Sequence, residues 1–285
     1  MVADIIVFGA IWTAIYSMIA LGFSLIFGVA KIMNLSHGAF FMFACYAAYY
    51  LSSSGLGLFW VALGAIVITI ILAIVSYLGI IKPMRNSLTQ VLILTFAFAM
   101  FLEQIIVITF GPEPRYVPSM LEGGMSILGV RVTHQQVLAF VITIVLILFL
   151  WWLLSRTNMG RIIRAVSQDR EMASMLGINA EKIFIFVMGL SGAFAAVAGL
   201  LVAPFLTVTP AMGWSPILAA FTIVVLGGLG NVWGTLIGAF IVAYAEMITS
   251  YAFNPQLKEA VTFTIMILAL MYRPNGLFSK GVSDA

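Results

Sequence analysis

Charged side chains are scarce in this chain, at 8% of 285 residues against 63% hydrophobic. Soluble domains carry roughly 25% charged residues. This chain therefore cannot cover a water-facing fold, and no stretch is long and polar enough for a separate soluble domain. Cysteine is almost absent. Cys45 is alone inside an apolar run, which excludes a disulfide framework and a redox pair and leaves it as a small packing residue. No GxxxxGK[ST] loop is present to cradle phosphates, and there is no HExxH, no carboxylate dyad and no nucleophile–base pair. The chain is expected to have no catalytic residues, no metal site and no cofactor of its own. The net charge of +3 is not a nucleic-acid footprint, because the basic residues lie mostly in loops beside apolar spans.

Long apolar runs are abundant. A spanning helix needs about 20 mostly apolar residues, and the candidates are residues 5–29, 35–51, 59–81, 88–110, 135–154, 183–206, 216–229, 235–251 and 260–272. The seventh and ninth are short for a full crossing, so eight or nine spans are expected. The runs are continuously apolar and lack the alternation of a membrane barrel, whereas helices satisfy every backbone group within the segment. The fold class is an all-α polytopic transmembrane helical bundle, read as a single membrane domain over residues 1–285. The opening MVADIIVFGAIW lacks the basic region and cleavage site of a signal peptide and is expected to begin the first span.

Charge placement sets the orientation. With the N-terminus outside and nine crossings, the inner loops hold Lys31, Lys82, Arg85, Arg156, Arg161, Arg164, Arg170, Lys182, Arg273 and Lys280. The outer segments hold Arg115, Arg131 and Lys258. This split follows the positive-inside rule. The longest outer loop, GPEPRYVPSMLEGGMSILGVRVTH, has prolines and glycines that break any long helix and reads as a solvated connection or a partner-facing rim. The most distinctive stretch is the inner island RTNMGRIIRAVSQDREMASMLGINAEK, residues 156–182. Thr157 suits a helix entry, Gly177 a C-terminal cap and Asn179 the start of the next helix. Asp169, Glu171 and Glu181 interleave with the basic residues, a pattern that a pure anchor on anionic lipid would not favour, so the island reads as a docking element.

Within the spans, Glu103 and Glu246 are costly in lipid and are expected to face the bundle interior, either as hydrogen-bond partners of neighbouring helices or as proton carriers. Asn34, Ser36 and His37 sit at a helix start, with Ser36 available as a cap. A helix N-terminus there would suit a substrate carboxylate, and span counting puts this step near the cytoplasmic end. The cluster Gly227, Gly228, Gly230 and Asn231 is dense enough to break a helix as well as pack it. Asn34 and Asn231 each precede a small-residue step into a span, an echo too short to establish a repeat. The tryptophans fall mainly near span ends, as an interfacial belt.

The island residues Arg164-Ala-Val-Ser-Gln-Asp-Arg-Glu-Met-Ala-Ser-Met-Leu-Gly-Ile-Asn resemble the cytoplasmic loop of LivH-type permeases of branched-chain amino-acid ABC importers. Asn34-Leu-Ser-His-Gly, Val225-Leu-Gly-Gly-Leu-Gly-Asn and the ending Met271-Tyr-Arg-Pro-Asn-Gly-Leu-Phe are similar to the family's other recurring segments, in the same order and over nearly the whole chain. One departure is Ala39, where members often carry an acidic residue after the His-Gly step. The resemblance implies a multi-pass subunit of the bacterial inner membrane that works beside a second, LivM-like permease. It further implies two ATPase subunits that carry ATP and Mg, and an external substrate-binding protein. The loop at 155–182 would be the coupling element, with Arg164, Glu171, Ala173 and Gly177 at the ATPase contact. The translocation path would draw on Asn34, Ser36, His37, Gly227, Gly228, Gly230 and Asn231. The rival reading is a proton-coupled secondary transporter of small solutes working alone.

Overall fold

The computed structural model describes residues 1–273 and 276–278. Pro274, Asn275 and Lys280, used above in the ending motif and the charge split, lie outside the described residues. The chain runs α1 (Val2–Ala30), α2 (His37–Ser53), α3 (Leu58–Ser76), a π-helical turn (Tyr77–Ile81), α4 (Lys82–Met84) and α5 (Leu88–Phe110). A hairpin β1 (Gly124–Ile127) and β2 (Val130–Thr133) follows. Then come α6 (His134–Arg156), α7 (Asn158–Gln168), α8 (Arg170–Met175), α9 (Ala180–Val202), α10 (Trp214–Gly227), α11 (Val232–Ala252), a 3₁₀ turn and α12 (Lys258–Tyr272).

Each of the nine apolar runs carries a helix. Among the described residues six segments are long and apolar enough to cross a membrane by themselves: α1, the continuous α3–α4 stretch, α5, α6, α9 and α11. The other three helices, α2, α10 and α12, have 17, 14 and 15 residues. At 1.5 Å per residue these reach only about 21–26 Å, against a hydrocarbon core of about 30 Å. By length and composition alone, six of the expected eight or nine spans are long enough to cross as single helices.

Helices α1 and α9 form the centre, and they bury the largest share of their apolar windows. Helix α9 packs on α1, α2 and α3, while α1 also takes α10, α11 and α6. Small residues make this possible, since α9 turns Ala195, Ala196, Ala198 and Gly199 inward and lets backbones approach closely. Cys45 is one of the packed residues, with its thiol directed at the Gly199 carbonyl.

Basic residues collect at one end of the bundle. Glu181 pairs with Lys82 (3.3 Å) and Arg85 (2.8 Å), and Lys31, Arg85 and Arg170 line one crevice. At the opposite end the Arg115 backbone bridges to Val208. The hairpin there turns through Leu128 (φ 51°) and Gly129 (φ 80°), the two positive φ angles that tight hairpins favour.

Candidate functional site

Two regions place polar groups where transport chemistry could use them. The first is a seam at mid-depth. After α1, Lys31 adopts a left-handed cap (φ 54°, ψ 36°) with its N–H on the Phe27 carbonyl, and the chain turns back into the bundle. Asn34 Oδ1 accepts from the Ser36 N–H (3.1 Å) and from the Ser36 hydroxyl (2.6 Å). His37 then opens α2, deep inside the bundle. Its Nε2 lies 3.1 Å from the Ile19 carbonyl, near the middle of α1, and its Nδ1 lies 3.1 Å from the Ser191 hydroxyl, midway along α9. A carbonyl only accepts, so Nε2 carries the proton, and in the neutral ring Nδ1 accepts from Ser191. Asn34, Ser36 and His37 are fully buried.

This corrects the placement of the step near the cytoplasmic end. Span counting assumed that α2 begins where α1 ends. In fact an irregular segment, residues 31–36, carries the chain back to mid-depth first. Ser36 occupies the cap position without making a side-chain cap bond, because its hydroxyl is committed to Asn34.

Helix α10 also starts at mid-depth. Trp214 Nε1 donates to Glu103 Oε2 (2.7 Å), and its ring packs on Phe96 with centroids 5.3 Å apart, both on α5. Trp214 is thus an interior hydrogen-bonding residue, not part of an interfacial belt. The N-termini of α2 and α10 meet backbone to backbone at Gly38 and Gly213. A Cβ on Gly38 would fall within the radius of the Gly213 carbonyl oxygen, and one on Gly213 would lie 2.5 Å from that of Gly38. Each helix start carries about half a positive charge, so two positive ends face one buried place. As first-turn helix groups, the N–H groups of Gly38, Ala39 and Ser215 find no backbone carbonyl among the described residues. The small cavity beside them is lined by Leu35, Ala39, Met42, Glu103 and Trp214. Glu103 is the one carboxylate among these lining residues. Position 39, where the resemblance leads one to expect acid, contributes a methyl group.

The glycine cluster expected on the same path is not at this seam. Gly227 closes α10 at the basic end, about 20 Å along the helix from Trp214. Asn231 caps α11 through the Gly234 N–H (3.1 Å), Gly230 rests on Gly28, and the Leu277 N–H donates to the Leu226 carbonyl (2.8 Å). Gly228 (φ 101°) and Gly230 (φ 81°) make the break between the two helices. The cluster builds a tight corner, and the structure does not bring it to Asn34, Ser36 and His37.

Glu246 is satisfied inside the bundle. It accepts from Tyr16 on α1 (2.6 Å) and from Thr262 on α12, which ties three helices together. Glu103 and Glu246 are thus each bonded to a neighbouring helix, and no bond links them.

The second region is the island at the basic end. Thr157 caps α7 through the Gly160 N–H (3.1 Å), Asp169 caps α8 through the Met172 N–H (2.9 Å) and Asn179 caps α9 through the Lys182 N–H (3.2 Å). Helix α7 buries Gly160, Ile163 and Val166. Arg164 turns back and donates to the Leu154 carbonyl, capping the end of α6. Helix α8 ends on Gly177 at φ 81°. The Ile178 N–H reaches the Ala173 carbonyl (3.1 Å) and the Gly177 N–H the Ser174 carbonyl (3.0 Å), a left-handed C-terminal cap of the Schellman kind. Ala173 is buried against the bundle, so it seats α8 and does not face outward. Glu171 is exposed. The outward face, which sequence reasoning missed, is Met172 (58% exposed), Met175 (80%) and Leu176 (80%). The available signal was helical spacing of apolar residues on the side away from Ala173.

A family model described as the permease component of branched-chain amino acid transport systems matches residues 5–270. The high-affinity branched-chain amino acid permease LivH of Salmonella typhimurium is 29% identical over 281 residues, covering 93% of this chain and 91% of that protein. The permease BraD of Pseudomonas aeruginosa is 28% identical over 281 residues, covering 93% and 92%. Among solved structures, PsaBC from Streptococcus pneumoniae in complex with Fab matches with a TM-score of 0.56 at 12% identity over 98% of each chain, a likeness of fold alone.

Proposed function

The chain belongs to the family of branched-chain amino acid transport permeases, multi-pass membrane components and not enzymes, and from that premise we propose that it is the permease subunit of an ATP-driven ABC importer of branched-chain or similar hydrophobic amino acids. The observation that carries this reading is the apolar tip of α8. Met172, Met175 and Leu176 stand out at the basic end, just after the charged Arg170 and Glu171, on a helix whose two ends are capped and whose inner side is packed. Fully burying one such side chain contributes about 1.5–3 kcal/mol. A rigid, capped helix that exposes an apolar tip is suited to a groove on a partner.

In this reading the basic end is cytoplasmic, following the positive-inside rule, and residues 1–285 form one permease domain with the coupling loop at 155–182. Two ATPase subunits hold ATP and Mg and close beneath it, and their closure moves α8. Arg164 and Gly177 fix the shape of the island, Ala173 seats it, and Glu171 flanks the contact. A second, LivM-like permease completes the core in the bacterial inner membrane, and an external binding protein delivers substrate to the end that carries the hairpin. The chain crosses eight or nine times, with α2, α10 and α12 as the short segments among those crossings. The two short helices whose starts meet at Gly38 and Gly213 supply the conduit's polar element. Their positive ends suit a substrate carboxylate and Glu103 suits its ammonium group. Asn34, Ser36 and His37 hold that joint in place, and Gly227, Gly228, Gly230 and Asn231 form the corner through which it connects to the cytoplasmic face.

Reconstituted vesicles test this reading. Uptake of leucine, isoleucine or valine should require ATP, the ATPase subunits and the binding protein. Uptake driven by a proton gradient without an ATPase would instead make the chain a secondary carrier.

A further inference from the structure

A crevice at the basic end shares Ile163, Arg164 and Ser167 with the island and has a chemistry of its own. Helices α6 and α11 both pack along α1 and leave a cleft of about 290 Å³ between them, floored by Leu25 and Val29 and walled by Trp151, Leu154, Ile163 and Trp233. The floor and walls are apolar, so the space suits an apolar group. Gly28, resting on Gly230, holds the back of the cleft narrow. The mouth is different. Ser155, Arg164 and Ser167 line it, and the exposed Arg156 and Arg161 stand on the neighbouring turns of α6 and α7. Trp151 (40% exposed) and Trp233 (63%) flank the opening, at the depth where indole rings meet lipid headgroups.

We propose that this cleft binds an anionic phospholipid, with one acyl chain between Leu25, Trp151 and Trp233 and the phosphate on Arg164. Two features favour a lipid over a soluble ligand or a protein segment. The apolar part opens sideways between two helices with largely exposed outer faces, where acyl chains are the surrounding solvent. The cationic part sits only at the end, where a headgroup would be. Basic pockets between transmembrane helices recognise anionic headgroups in this way. Ile163 is shared by the cleft wall and by the buried face of α7, so a bound chain would brace the helix that leads into α8. The binding itself does not depend on the importer reading.

The test is native mass spectrometry of the whole chain in mild detergent, titrated with phosphatidylglycerol or phosphatidylcholine. The wild type should retain one phosphatidylglycerol in preference to phosphatidylcholine. Arg164→Gln should reduce that preference on the order of fivefold, and Arg164→Lys should keep most of it. Leu25→Trp, which fills the cleft, should abolish tight retention of both lipids, with folding checked by its melting temperature. A photo-crosslinking side chain at Trp233 in cell membranes should capture lipid. Equal retention of both lipids by the wild type, displacement by inorganic phosphate alone, or a protein adduct at Trp233 would each overturn the proposal.

Discussion

The mid-depth seam and the α8 tip handle their exposed groups in opposite ways. At the seam, side chains are locked to one another: Asn34 to Ser36, His37 to Ile19 and Ser191, Trp214 to Glu103. What remains open there is backbone N–H at two helix starts. At the tip, the backbone is closed by side-chain caps at Asp169 and Asn179 and by Gly177, and what remains open is apolar side chain. Open N–H groups in a buried place suit a small polar ligand that comes and goes. Open methionine and leucine side chains on a rigid helix suit a second protein. Each region is therefore best broken by a different kind of substitution.

The largest effect is expected at the seam. Gly38→Val would drive a side chain into the Gly213 carbonyl and Ile217, costing on the order of 3 kcal/mol or more. The melting temperature in detergent should fall and uptake should be lost. At the tip, Met175→Asp with Leu176→Asp should leave the melting temperature nearly unchanged, because both are 80% exposed, while abolishing co-purification with the ATPase. If this double variant also melted early, the two regions would not differ as described.

Gly177→Val should act more weakly. A β-branched residue at φ 81° costs about 1–2 kcal/mol, and nothing crowds the site. ATPase stimulation by substrate should drop several-fold with membrane insertion intact. The smallest effect on transport is expected for Glu103→Gln, whose amide oxygen can still accept from Trp214. Replacing a charge-assisted bond by a neutral one should cost about 1 kcal/mol, yet the substrate concentration for half-maximal uptake should rise several-fold. An unchanged concentration dependence would remove Glu103 from the substrate path.

Much of the bundle was legible in the sequence because apolar run length reports directly on what lipid tolerates. Each run became a helix, and the caps at Thr157, Asn179 and Gly177 followed from local chemistry. Depth was not legible. The turn back after Lys31 is set by where Asn34 and His37 find partners on α1 and α9, contacts more than a hundred residues apart in the case of Ser191. The same holds for Trp214, whose partner Glu103 sits on another helix. Ala173 was assigned to the docking surface by pattern, although only the packing of α8 could tell its inner face from its outer one. The hairpin at residues 124–133 did carry a local signal in Leu128-Gly129 between alternating strands, and it is a feature that reading the loop as irregular passes over.

The most direct test of the central claim uses Met175→Cys, since the native Cys45 is fully buried and should not react. A membrane-impermeant maleimide should label Cys at this position in inverted membrane vesicles and not in intact cells, and added ATPase subunits should protect it. Labelling from the outside of intact cells, or labelling from the cytoplasmic side at an undiminished rate with the ATPase bound, would contradict the account.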